Sequence, residues 1–184
     1  MAILKVAKLG NPILRQRAVR VTLEEALSPE FQQFLDDMVD TMRELDGVGL
    51  AAPQVFQSKR VIVIESEANP RYAGVPDLSL LVMLNPTITV ASEETIEGWE
   101  GCLSLDNLRG KVSRSAKISV NGFSRFMESM KIDAEGFLAV VFQHEIDHLN
   151  GKLFIDRMKD FTTLSHLEEY DLYWANRLVE VGSL

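Results

Sequence analysis

Phe31, Phe34, Leu35, Met38, Val39, Met42 and Leu45 recur at three- and four-residue spacing, which puts them on one face of a helix. Ser28 and Pro29 open that helix and Gly47 is the expected stop. A shorter helix is predicted over 11–17, with Asn11 as its cap and Pro12 as its first residue, because a proline there gives up only an N–H without an intrahelical partner. The run 60–65, dominated by Val and Ile, reads as a buried strand, and 80–90 reads as another that Asn85 and Pro86 bend or end. Pro70, Gly74 and Pro76 make 66–79 a surface loop.

Farther on, Val112, Ala116, Ile118 and Val120 alternate with polar residues over 112–121, the period of a half-buried strand. Arg114 is the even position that breaks it. A partner strand is predicted near 126–132, joined through the turn-rich 121–124. Gly136 precedes a helix whose Phe137, Val140, Val141, His144 and His148 share a face. A last helix is expected over 164–180, with Ser165 and Glu168 as a capping box and Leu164, Leu167, Trp174 and Leu178 as its apolar side. Strands in the middle and helices at both ends predict an α+β fold, with mixed or antiparallel sheets around the 136–148 helix. With no linker or repeat, 1–184 is expected to be one domain ending in a helical tail from about 162.

The 184 residues are 46% hydrophobic and carry a net charge of −8. An acidic chain without a Lys/Arg run argues against a nucleic-acid binder, which needs concentrated positive surface. No apolar stretch is long enough to span a membrane, and the first ten residues do not make a signal peptide. A single cysteine excludes an intrachain disulfide framework and suits a reducing, cytoplasmic setting.

Chemistry concentrates in three segments. His144, Glu145 and His148 form a His-Glu-x-x-His sequence on a predicted helix, so both imidazoles project from one side and can hold one metal ion beside a candidate general base. Ordinary helix histidines are the plain alternative reading. Two ligands under-supply a catalytic metal. The long protease motif would put a third histidine where Phe154 stands, so it is ruled out. Glu168, twenty residues after His148, remains open as the third ligand of another metallopeptidase class. Cys102 is the other option. A lone cysteine is more often a small buried apolar residue, but Gly98, Trp99, Glu100, Gly101 and Ser104 crowd it unusually for a plain strand. Finally, Gln54 follows the small-residue run 47–53, which lacks the pattern of a phosphate loop, and offers a neutral donor suited to polarising a carbonyl.

Together, 47–54 (GVGLAAPQ), 100–104 (EGCLS) and 143–148 (QHEIDH) resemble the three signature motifs of the peptide deformylases, in order and spacing. The similarity extends from about Lys8 to Arg157, and the tail resembles the class that ends in a helix. The resemblance implies Cys102, His144 and His148 as ligands of one divalent ion, with a water or hydroxide in the fourth position. Ferrous iron is expected, with zinc, nickel or cobalt accepted. It implies Glu145 as general base and then acid, and Gln54 with the Leu103 N–H as the oxyanion hole. Val48, Phe137, Val140 and Val141 would take a methionine side chain, with His144 at the floor of that pocket and Arg109 near its rim, and backbone groups from Gly47 to Gly49 are expected to pair with the extended substrate as an added strand. Many relatives carry arginine at the position of Val140. The implied substrate is a nascent polypeptide beginning with N-formylmethionine, met at or near the ribosome by a monomeric enzyme. The rivals are the metallopeptidase using Glu168 and an inactive peptide-binding relative.

Overall fold

The computed structural model describes residues 2–66 and 78–175. Helices α1 (Leu23–Ala26) and α2 (Pro29–Glu44) come first, then strands β1 (Gly49–Ala51), β2 (Val61–Ile64) and β3 (Leu81–Ala91). Strands β4 (Thr95–Cys102), β5 (Leu105–Ser115), β6 (Lys117–Phe123) and β7 (Ser129–Glu135) follow, and then α3 (Gly136–Leu149), β8 (Ser165–His166) and α4 (Leu167–Tyr173). One antiparallel sheet has the order β1-β2-β3-β6-β7, and a second has the order β4-β5-β8. This is an α+β arrangement.

The larger sheet lies between α2 and α3. Val61 and Val63 of β2 join the core against the Leu35, Met38 and Met42 face of α2, while Ile62 and Ile64 join the core with Ala139, Phe142 and Ile146 of α3. Burial on both faces explains why the β2 run has no polar alternation. The cap of α2 is as read: Ser28 Oγ accepts from the Phe31 N–H at 3.2 Å. Its stop is not. The left-handed residue after the helix is Asp46 (φ 51°), and Gly47 is small for another reason, since a Cβ there would lie 3.0 Å from Leu103 Cδ1.

Three other expectations change. Asn85 and Pro86 do not end β3 but mark a register shift within it, where the Asn85 side chain accepts from the Val21 N–H and donates to the Val21 carbonyl, both at 2.9 Å. The alternation over 112–121 belongs to two strands in two sheets, because the chain leaves β5 at Ser115 and enters β6 at Lys117. Its partner strand begins at Ser129, after a turn closed by the Ser124 N–H on the Glu128 carbonyl at 2.8 Å. At the C-terminal end the capping box does not form: Ser165 is in β8, opposite Arg109, and the helix starts at Leu167 after His166. The expected loop 66–79 and Leu178 lie almost wholly outside the described residues. Among the described residues, no helix is long and apolar enough to cross a membrane.

Candidate metal centre

Helix α3 presents His144 and His148 one turn apart, and β4 ends at Cys102, where its pairing with β5 shifts register. The ligand-type atoms of Cys102, His144 and His148 lie within 4.8 Å of one another, with Cys102 Sγ 3.3 Å from His148 Nε2. This is the group among the described residues that can hold a metal ion; Glu168 sits exposed on α4, outside it. His144 Nδ1 lies 2.8 Å from Glu100 Oε2, which leaves Nε2 as the ring nitrogen for the site and fixes the tautomer a ligand needs. Burial opposes charge on both rings, yet the Cys102 sulfur and Glu100 hold His144 well above its ordinary pKa, while burial and the charges of His144 and Arg114 push His148 well below. A cysteine sulfur and two imidazoles brought together at one site are the borderline-soft donor set of zinc and iron.

Beneath the triad runs a buried ion network. Arg114 binds Glu100 bidentately, at 2.8 and 3.0 Å, and reaches Asp147 at 2.6 Å; Arg157 Nε donates to Asp147 at 2.9 Å. The break in alternation at Arg114 therefore marks a guanidinium turned inward between two carboxylates. Burial pushes the Glu100 carboxyl up, but hydrogen bonds from His144 and Arg114 outweigh it and hold it at about 2.

Glu145 is 4% exposed, and burial raises it to about 7. Its Oε2 has no hydrogen-bond partner. Such an orphaned buried oxygen at a cleft wall points to a partner supplied by ligand or solvent. Gly49 makes room for this carboxyl: a Cβ there would lie 2.5 Å from Glu145 Oε1. We expect Gly49→Ala to displace the carboxyl and cut turnover about a hundredfold with metal content unchanged. Full turnover by that variant would show that the placement of Glu145 is unimportant.

Gln54 sits in a short 3-10 helix, Ala52–Val55. Its Oε1 accepts from the Ala51 N–H at 2.8 Å, so Nε2 is turned towards Ser104 Oγ (3.2 Å) and Cys102 Sγ (3.5 Å). A cleft of about 490 Å³ opens over these groups. Its walls include Cys102, Leu103, Gln54, His144 and Glu145, together with Val48, Gly49, Arg109, Phe137, Val140 and Val141; His148 is not on its lining. Arg109 crosses the backbone at Gly101, where a Cβ would collide with its guanidinium. The roles of Ser104, Asp147 and Arg114 were not read from the sequence; the polar break at position 114 was the one available signal.

A cysteine and two histidines grouped for a metal, a buried carboxyl with a free oxygen and an oriented amide, gathered at and just behind one cleft, make the arrangement of a metal-dependent hydrolase. The family model described as polypeptide deformylase matches residues 3–163. The chain is 43% identical over 168 residues to peptide deformylase 2 of Nostoc sp., covering 91% of this chain and 93% of that one. It is 42% identical to a peptide deformylase of Leptospira biflexa, covering 93% and 96%. Among solved structures, a class I type b peptide deformylase from Acinetobacter baumannii bound to Met-Ala-Ser superposes with a TM-score of 0.83 at 44% identity, over 85% of this chain and 99% of that one. The peptide deformylase of Thermotoga maritima superposes with a TM-score of 0.77 at 36% identity, over 87% and 100%. The chain belongs to the polypeptide deformylase family.

Proposed function

We propose that this protein hydrolyses the N-formyl group from polypeptides that begin with formylmethionine, releasing formate and a free amine. The observation that carries the reading is the convergence of Cys102, His144, Glu145 and Gln54 at one cleft, with the His148 ring 3.3 Å from the Cys102 sulfur, in a chain of this family. Cys102 and the two histidines would hold a divalent ion, with ferrous iron the proposed occupant and zinc, nickel or cobalt compatible with the same donors. Such an ion would supply Lewis acidity, enough to bring the pKa of water towards about 7, moderated by the charge of the sulfur ligand.

The remaining work falls to the chain. A formamide is a weak electrophile, so its hydrolysis needs a base for water and donors for the oxygen that becomes negative. Glu145 takes the water proton on its free oxygen and returns it to the departing amine nitrogen as the C–N bond breaks. Gln54 Nε2 and the Leu103 N–H donate to the developing oxyanion, each such donor contributing about 3 kcal/mol in the transition state. Val48, Phe137, Val140 and Val141 enclose the methionine side chain, with Arg109 at the rim. The next residues lie along β1, an edge strand whose outer side at Gly49 can take an extended peptide as an added strand. The Acinetobacter relative is bound to Met-Ala-Ser, the peptide left when formyl-Met-Ala-Ser loses its formyl group. The reading includes a monomer acting in the cytoplasm on nascent chains at or near the ribosome; sedimentation of the 20.7 kDa chain as a single copy checks the first of these.

The test is formate release from formyl-Met-Ala-Ser by protein purified without oxygen. Release at a rate that tracks metal content supports the reading, and none with iron or nickel bound overturns it. Cys102→Ala separates the peptidase rival: it loses tight metal binding and activity here, whereas a site built on Glu168 would keep both.

A further inference from the structure

The peptide unit between Leu103 and Ser104 is engaged at both ends. Its carbonyl accepts from Lys8 Nζ at 2.9 Å, and its N–H donates to Cys102 Sγ at 3.4 Å. Lys8 is held in place by the segment around it: the Ala7 N–H bonds the Gln54 carbonyl at 2.7 Å and the Leu9 N–H bonds the Ser104 carbonyl at 2.8 Å. Ala7 is 1% exposed, so the segment is anchored on both sides of a lysine that faces outward and pairs with Asp106 at 2.7 Å.

We propose that Lys8 is a positioning residue which, through the Leu103–Ser104 peptide, sets how much charge the Cys102 sulfur gives to a bound metal. A cation on the carbonyl oxygen draws amide electron density towards that oxygen and makes the N–H at the other end a stronger donor. A stronger N–H···S bond keeps negative charge on sulfur and leaves less for the metal. Hydrogen bonding to a ligating sulfur is a general lever on metal sites. Lys8 is half exposed and ion-paired, so its field through solvent is screened. What reaches the sulfur is the polarisation carried along one peptide unit. The inference rests on Cys102 being a metal ligand.

The cobalt-loaded protein tests it, because the sulfur-to-cobalt charge-transfer absorption reads the energy of the sulfur electrons directly. Lys8→Met shifts that band to longer wavelength, and kcat falls about tenfold with KM unchanged, the low end for loss of an outer partner of a metal ligand. Lys8→Arg restores the native band. Lys8→Gln keeps a neutral donor on the carbonyl, gives an intermediate position and serves where the methionine variant does not fold. Asp106→Asn breaks the same ion pair but leaves the ammonium on the carbonyl, so its band does not move to longer wavelength. An unmoved band in Lys8→Met and Lys8→Gln overturns the proposal. So does an equal shift in Lys8→Met and Asp106→Asn, the mark of a residue that merely holds the loop. A native protein with no such band overturns the assignment of Cys102 as ligand as well, which separates the two failures.

Discussion

Exchanging Glu145 for Gln lowers kcat/KM for a formylated peptide by about a thousandfold, within the range for losing a positioned general acid and base. The amide has the volume of the acid, so the close packing on Gly49 and the metal content are retained. What is lost is the ability to accept a proton. In the native chain, burial raises Glu145 to about 7, with the opposing charge of His144 the next influence. Below its pKa the carboxyl is protonated and cannot act as a base, so activity falls as pH falls through that value. A bound cation favours the charged form, so the inflection in kcat/KM lies at or below pH 7. Glu145→Gln has no such acid limb. A variant with native turnover, or one that keeps the acid limb, would remove Glu145 from this role.

Replacing Arg114 by Met is expected to have the largest effect on stability. Arg114 joins Glu100 and Asp147, and all three are 4–6% exposed. Removing the guanidinium leaves two buried carboxylates each short of a charged partner, a change that costs about 3–5 kcal/mol. For a chain of this length the midpoint of thermal unfolding then falls by roughly 10 °C. The pH dependence gives a second check. A carboxyl depressed in the folded state contributes stability that is complete above its unfolded pKa, near 4.5 for Glu100, and is lost as pH falls towards its folded value of about 2. Asp147 is depressed too, by Arg157 and Arg114 against the opposing effect of burial. The native protein therefore weakens steadily below pH 4.5, and Arg114→Met, weaker at pH 7, converges with it in acid. An unchanged midpoint at pH 7 would mean that the network is idle. Because Glu100 also holds His144 Nδ1, the variant binds metal more weakly.

Much of this was legible in the residues themselves. The three-four spacing of α2 and the His144 to His148 spacing are local regularities of one helix, and a helix preserves them wherever it packs. The alternation over 112–121 was equally visible, and every even position, Arg114 included, is buried. The change of sheet at Ala116 was not, since a period of two says which side of a strand is buried and nothing about which strand pairs with it. Strand β4 was missed for a related reason. Gly98, Gly101 and three glutamates between 94 and 100 suppress a strand signal, and the segment is extended because it pairs along its length with β5. The tail helix begins three residues later than the expected 164, because the β8 pairing with β5 takes Ser165 out of the capping box.

By itself, then, the sequence determined the elements whose pattern is short-range, and its three motifs named the candidate residues that the fold brings together. Only the tertiary structure decided that Cys102, 46 residues before His148 in the chain, stands 3.3 Å from its ring; that Arg114 is the buried link between Glu100 and Asp147; and that Lys8 reaches the peptide bonded to the Cys102 sulfur. Each of these joins segments whose separation along the chain carries no local signature. They meet because α3 packs across one face of the larger sheet while the end of β4 is carried to the same place by its hairpin with β5.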